Sequence, residues 1–172
     1  MHKKVLLLVS FFCLAFLSAC VQKEQLQLKD CGNDKECFDT AARQCAPAKV
    51  LISEERNSTY TELYLESRGE DGNECEFYYR MQKLNVNLAV PESDEERHLQ
   101  EKFFAIIKTV EGKDMVCRFP KQLIEDKTSL MDMQTSEINQ YCKGELINAL
   151  QNMQQALLQL ILEARQKQQQ PS

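Results

Sequence analysis

Apolar and polar residues alternate through the centre of the chain, which is the pattern of a sheet that buries one face and exposes the other. The alternation predicts strands at 49–54, 59–67, from 75 to 90 and, more briefly, at 115–119. In the third of these the apolar positions change parity between Met81 and Leu84. Because a regular strand cannot change faces, we expect a bulge or bend at residues 82–83.

Capping patterns predict helices on both sides of these strands. Asn33 and Ser93 each precede a glutamate by three residues, as in a capping box. The first pattern predicts an N-terminal helix to about residue 45, and the second predicts a middle helix at about 94–111. Several residues at 103–110 are β-branched and also suit a strand, so that alternative stays open.

The last segment has the most regular spacing in the chain. Its apolar residues recur at steps of four and three, as in the seam of a long helix: Leu146, Leu150, Met153, Leu157, Leu160 and Ala164. Leu158, Ile161 and Leu162 widen this apolar face, which favours packing on a sheet or on a broad partner surface. The sequence thus predicts an amphipathic C-terminal helix that contacts a protein partner or a second copy of the chain.

These elements together predict an α+β domain. It would contain an N-terminal helix, an antiparallel sheet of about four strands, a middle helix and a long C-terminal helix. The glycines and prolines fall between these elements and not inside them, which is consistent with the division.

The N-terminus has the pattern of an export signal, in which a basic start precedes an apolar run at 5–17 that is too short to span a bilayer. The sequence Leu17-Ser18-Ala19-Cys20 then resembles the lipobox of bacterial-type lipoproteins. The resemblance implies that Leu17, Ser18 and Ala19 are recognised by the signal peptidase. It also implies that Cys20 becomes the new N-terminus and carries lipid such as palmitate.

The resemblance implies an exported, lipid-anchored protein, on the outer membrane if the host has two membranes and otherwise on the outer face of the cell membrane. The expected organisation is a signal peptide at 1–19, a lipidated cysteine and tether at 20–30, a domain at 31–142 and the C-terminal helix with a frayed tail at 143–172. Loss of the signal would remove two lysines and lower the formal charge from −5 to −7. Such an acidic domain predicts no nucleic-acid partner.

Six cysteines remain once the signal and Cys20 are set aside: Cys31, Cys37, Cys45, Cys75, Cys117 and Cys142. An even number in an exported chain predicts disulfide bonds that staple the domain. Their spacing does not match paired zinc ligands, so we expect no metal and no other cofactor. We favour the pairs Cys31–Cys37, Cys45–Cys75 and Cys117–Cys142. The first pair flanks a helix start, and the second precedes two strands at one end of the sheet.

No familiar catalytic motif is present, whether a nucleophile elbow, a zinc-protease helix, a phosphate loop or a dinucleotide fingerprint. His98 lies among charged residues, which favours a solvated histidine over a catalytic base. Acidic residues are plentiful, but no pair stands out. The sequence therefore favours a non-enzymatic binding or scaffold module. The alternatives are a self-associating envelope protein and a small hydrolase or hydrolase inhibitor.

Two surfaces are candidates for partner contact. The first is an outward row on the predicted strands, comprising Tyr60, Tyr64, Tyr78 and Arg80, because tyrosine and arginine are favoured in binding hot spots. Tyrosine also suits strands in general, and the C-terminal helix could cover that face. The second candidate is the helical seam from Leu146 to Leu160.

The segments 31–38, 45–50 and 112–120 resemble a loose group of small exported cysteine-containing proteins. They read Cys-Gly-Asn-Asp-Lys-Glu-Cys-Phe, Cys-Ala-Pro-Ala-Lys-Val and Gly-Lys-Asp-Met-Val-Cys-Arg-Phe-Pro. The group has no assigned activity, so the resemblance implies a shared fold and no mechanism. The C-terminal helix is the part of the chain least associated with it.

Overall fold

The computed structural model describes residues 27–127, 129 and 133–168. The strands are β1 (Lys29–Asp30), β2 (Ala48–Arg56), β3 (Thr59–Asp71), β4 (Glu74–Val86), β5 (Asp114–Pro120) and β6 (Cys142–Lys143). The helices are α1 (Lys35–Arg43), α2 (Asp94–Lys108), α3 (Lys121–Glu125), α4 (Thr135–Tyr141) and α5 (Glu145–Gln168). The predicted signal peptide and Cys20 lie outside the described residues.

The fold is mixed α/β, with a six-stranded sheet in which the strands follow one another in chain order from β1 to β6. The prediction of about four antiparallel strands was too low. The two strands it missed, β1 and β6, are two residues long and too short to show alternation. β1 also pairs with β2 in parallel, whereas every other pair is antiparallel. Residues 29–30, assigned to the tether by the sequence, thus belong to the sheet.

The N-terminal helix differs in detail from its prediction. α1 is capped by Asp34, whose Oδ1 accepts a hydrogen bond from the Cys37 amide at 3.0 Å, and not by Asn33. The helix ends at Arg43, because Cys45 has a φ of 50° that cannot continue it. β1 precedes α1, so the helix is not the first element among the described residues.

The change of parity in β4 is a β-bulge, as predicted. Glu62 pairs with Lys83 and Leu63 pairs with Met81, which leaves Gln82 as the extra residue. β4 nevertheless ends at Val86 and does not reach residue 90. Val86 pairs with Thr59, the first residue of β3, so the partner strand ends there and residues 87–91 leave the sheet.

The middle helix is confirmed, and a strand at 103–110 is wrong. Ser93 caps α2, and its hydroxyl accepts a hydrogen bond from the Glu96 amide at 3.1 Å. The Glu96 carboxylate accepts in turn from the Glu92 amide at 2.7 Å, one residue before the cap. The helical spacing of the apolar residues therefore outweighed the β-branched composition.

The core lies on one face of the sheet, here called the inner face. The buried strand residues on it include Val50, Leu65, Phe77, Tyr79, Cys117 and Phe119. The helices add Phe38, Ala42, Ile124 and Leu146 to the same cluster. Because strand side chains alternate, Tyr60, Tyr64, Tyr78 and the charged residues beside them lie on the opposite, outer face.

Among the described residues three disulfide bonds cross-link this body: Cys31–Cys37, Cys45–Cys75 and Cys117–Cys142. These are the pairs that the sequence favoured. The first holds α1 to the loop after β1, the second joins the end of α1 to β4, and the third joins β5 to β6. The bonds therefore fix the end of the sheet at which the described chain begins.

Candidate functional site

The outer face carries the predicted tyrosine row. The rings of Tyr64 and Tyr78 meet edge to face with centroids 6.1 Å apart. Tyr78 donates its hydroxyl hydrogen bond to Asp114 at 3.1 Å, and Tyr64 donates to Glu66 at 3.0 Å. Tyr60 lies further along and donates to Glu62 at 3.0 Å. The three hydroxyls are thus already engaged within the chain.

Ion pairs occupy the part of the outer face beside these tyrosines. Glu76 accepts hydrogen bonds from Arg118 Nη2 at 2.9 Å and from Arg68 Nη1 at 3.3 Å. Burial alone would raise the pKa of Glu76, but the bonds from Arg118 and Arg68 outweigh it and hold the pKa below its ordinary value. The Arg68 guanidinium also lies 4.7 Å from the centre of the Tyr78 ring. A ligand on this face would have to displace these internal contacts, which weakens it as a binding surface.

The first half of the predicted helical seam packs within the chain. Leu146 is 1% exposed and belongs to the core, and Leu150 and Met153 pack against it. Leu157 and Leu160 are half-buried further along α5. A partner therefore cannot reach the seam at Leu146 in the folded protein.

α5 lies antiparallel to α2. Lys113, just after α2, pairs with Glu145 at the start of α5 at 2.8 Å, and Lys102 within α2 pairs with Glu163 near the end of α5 at 3.3 Å. The hydrogen bond from Lys113, with the charge of its ammonium group, lowers the pKa of Glu145 below its ordinary value. The two helices thus form one wall that extends beyond the end of β4.

An apolar groove of about 670 Å³ lies between this helix pair and residues 87–91. The segment contributes Leu88, Val90 and Pro91, α2 contributes Leu99 and Phe103, and α5 contributes Leu160, Ile161 and Ala164. The segment is held against α2 by a hydrogen bond from Gln100 Nε2 to the Ala89 carbonyl at 3.0 Å. We call this feature the apolar groove.

The apolar groove opens onto exposed hydrophobic side chains. Val90 is 87% exposed and Ile161 is 50% exposed, and Leu158 and Leu162 on the same side of α5 are more than half exposed. Single exposed hydrophobic residues are common, but Leu88, Val90 and Ile161 line one groove together, which is typical of a contact site. The volume of the apolar groove is also within the range of ordinary ligand clefts.

The rim of the apolar groove is acidic. Glu92 and Glu96 line it, and among the described residues no lysine, arginine or histidine does. The Glu92 amide donates to the Glu96 carboxylate, which fixes the position of the second carboxylate at the mouth. The groove therefore combines an apolar floor with negative charge at one edge.

Three other features were considered in the described part of the chain: the histidine, possible metal sites and membrane-spanning helices. His98 is exposed on α2. No group of three or more histidine, cysteine, aspartate or glutamate residues is arranged to hold a metal ion within the described ranges. Among the same residues no helix has the length and apolar character needed to cross a membrane.

Sequence reasoning missed the groove because its walls come from three separate segments. Leu88 and Val90 were assigned to a strand, because they continue the alternate apolar positions of Leu84 and Val86. Pro91 and the capping residue Ser93 were the available signal that the strand could not continue far. Comparison with protein-family models, with curated proteins and with solved structures finds no match for this chain.

Proposed function

We propose that this chain is an exported, lipid-anchored binding module that uses the apolar groove to hold a protein partner. The lipobox-like sequence at 17–20 supports the anchor. The three disulfide bonds support an oxidising, extracytoplasmic location, because such bonds are rare in reducing compartments. The proposed function is binding, because the groove leaves apolar side chains uncovered.

The observation that carries this proposal is the exposed apolar group at the groove. The outer face of the sheet is internally paired and the seam at Leu146 is buried, whereas the groove, among the described residues, has apolar area left to cover. A protein contact that covered Val90 and Ile161 would remove this apolar area from water. Each Å² removed contributes roughly 25 cal/mol of favourable free energy, before the costs of association.

The groove also lies at the end of the molecule away from the tether. β1, which follows the tether, pairs with Ala48 at the start of β2, whereas the groove segment follows Val86, in line with the far end of β2. β2 has nine residues, so its ends are about 26 Å apart at about 3.3 Å per residue. A lipid at Cys20 would therefore hold one end of the body at the membrane and leave the groove accessible.

The anchor is tested by labelling cells with an alkyne analogue of palmitate. The wild-type protein should incorporate the label and partition into the detergent phase, and Cys20→Ser should do neither. Cys13→Ser, in the predicted signal, is the matched control and should behave as wild type. Labelling of Cys20→Ser equal to that of the wild type would overturn the proposal of a lipid anchor at Cys20.

The contact is tested by site-specific photo-crosslinking in the producing cells. A photoreactive amino acid at position 161 or 90 should give one discrete adduct, and the same residue at exposed Glu36 on α1 should give none. The adduct at position 90 should disappear when Ile161 is changed to Ser. Adducts that persist in that variant, or that form equally from position 36, would contradict the proposal.

Point variants are preferable to deletion of α5. Leu146 is fully buried and Ile147, Leu150 and Met153 pack against the core, so removal of the helix would uncover the core itself. Ile161→Ser changes a half-exposed residue about four turns further along α5.

A further inference from the structure

We infer that the partner presents a basic amphipathic helix to the apolar groove. This inference rests on the proposed function and specifies the chemistry of what is bound. It follows from two independent properties of the groove, which are the geometry of its walls and the sign of the charge at its rim.

The walls have the shape that accepts a third helix. α2 and α5 run antiparallel, as shown by the Lys113–Glu145 and Lys102–Glu163 pairs, and the groove lies between the N-terminal part of α2, the C-terminal part of α5 and residues 87–91. Leu99 and Phe103 of α2 and Leu160 and Ala164 of α5, each pair at i, i+4, line the groove as an apolar stripe at helical spacing. An amphipathic helix with apolar residues at i, i+3, i+4 and i+7 matches such a stripe and is a recurring mode of recognition.

The charge at the rim selects among such helices. Glu92 and Glu96 line the groove without a lysine or arginine among the described lining residues. Asp94 nearby is paired with Arg97 at 2.9 Å, and Glu92 and Glu96 are the charged residues in the described lining of the groove. A helix that carries lysine or arginine beside its apolar stripe would be favoured, and an acidic helix would be repelled.

The same charge argues against two other occupants. In a symmetric pair of chains the same groove supplies both sides, so a second copy would bring its own glutamates to the contact. An anionic lipid surface would meet the acidic rim unfavourably, and the groove lies at the opposite end from the tether. Both remain distinguishable outcomes of the experiment.

The test uses the disulfide-bonded chain from residue 20 to its end, made without lipid by Cys20→Ser. The probe is a fluorescent helical peptide of about 14 residues, about 21 Å long, with leucines at i, i+3, i+4 and i+7 and lysines on both flanks. Two control peptides have the lysines changed to glutamate, or the same composition in scrambled order. Fluorescence anisotropy at low salt should show that the lysine peptide binds at least tenfold more tightly than either control.

Variants locate the binding site. Ile161→Ser should weaken binding of the lysine peptide about tenfold, as for an apolar anchor. Glu92→Gln with Glu96→Gln should weaken it about three- to tenfold and abolish its salt dependence. Glu36→Gln with Glu54→Gln removes the same charge from exposed sites elsewhere and should change neither. Circular dichroism of each variant checks that the fold is intact.

Three results would overturn the inference. They are equal affinity for the lysine and glutamate peptides, no binding of the lysine peptide, and a dimer of the chain alone that Ile161→Ser abolishes. The last result would identify a second copy as the occupant. If residues of the groove form crosslinks in cells but the lysine peptide does not bind, the proposed function stands and the inference of a basic helical partner is wrong. If neither is seen, both fail.

Discussion

Gly144 shows how a single residue positions α5 against the sheet. Its φ is +147°, and a Cβ at this position would lie 2.6 Å from both the Asp114 carbonyl oxygen and the Met115 Cα. These are backbone atoms of β5 that cannot move aside easily. The close approach brings Leu146 into the core and thereby fixes the direction in which α5 leaves the sheet.

We expect Gly144→Ala to lower the free energy of unfolding by about 2–4 kcal/mol, through steric conflict with β5 and backbone strain. Gly112→Ala is the matched control. Gly112 also has a positive φ, of +73°, but a Cβ there would meet no atom within 4 Å. Gly112→Ala should therefore lower the free energy of unfolding by only about 1–2 kcal/mol, from backbone strain alone. Urea denaturation measures both, and equal costs would show that the approach to β5 is not tight.

Glu76 gives stability a defined dependence on pH. Its pKa is held below the ordinary 4.5 in the folded chain, where hydrogen bonds from Arg118 and Arg68 outweigh the effect of burial. Folding thus favours the charged form. The contribution is complete above the ordinary pKa and is lost as the pH falls through the lower folded value.

Glu76→Gln should therefore reduce the difference in stability between neutral pH and about pH 3. Urea midpoints at both pH values measure this difference. Glu54→Gln, an exposed residue on β2, is the control and should keep the wild-type difference. The same reduction in both variants would show that net charge, and not the Arg68–Glu76–Arg118 network, sets the pH dependence.

At the scale of elements, the disulfide bonds should differ in what they contribute. Cys45–Cys75 joins residues 30 positions apart, whereas Cys31–Cys37 joins residues six apart. In the chain-entropy model a longer closed loop restricts the unfolded chain more. This gives about 3.7 kcal/mol for the longer loop and about 2.4 kcal/mol for the shorter one.

Replacing Cys45 and Cys75 together by Ala should therefore destabilise the domain by about 1 kcal/mol more than replacing Cys31 and Cys37 together. Thermal and urea unfolding of the two double variants measure the difference. The reverse order would mean that Cys31–Cys37, by pinning the first turn of α1, acts mainly through the folded state.

Local sequence signals, such as alternation and capping residues, predicted the helices and strands well wherever a single signal dominated a segment. The parity change in β4 predicted the bulge at Gln82, and Ser93 predicted the start of α2. Residue spacing and the expected sheet also favoured the cysteine pairs that the structure contains. β1 and β6 escaped prediction because two residues carry no period, and the cap of α1 was misplaced because Asn33 and Asp34 are both good caps.

At the scale of the whole molecule, the candidate site could not be predicted in the same way. The apolar groove depends on how residues 87–91 return onto α2 and on which side of α5 faces it. The seam at 146–164 was found, but its spacing could not tell internal packing from partner contact. Only the tertiary arrangement brings the exposed Ile161 and Val90 to the same groove.

The central claim is that the chain is held at the membrane by one end and presents the apolar groove at the other. Depth-dependent quenching on vesicles tests it most directly. A fluorescent amino acid replaces Leu28 or Ile161 in the lipid-anchored protein, and the vesicles carry quencher lipids. We predict quenching at position 28 and little at position 161. Equal or stronger quenching at position 161, or no attachment to the vesicles, would contradict the account.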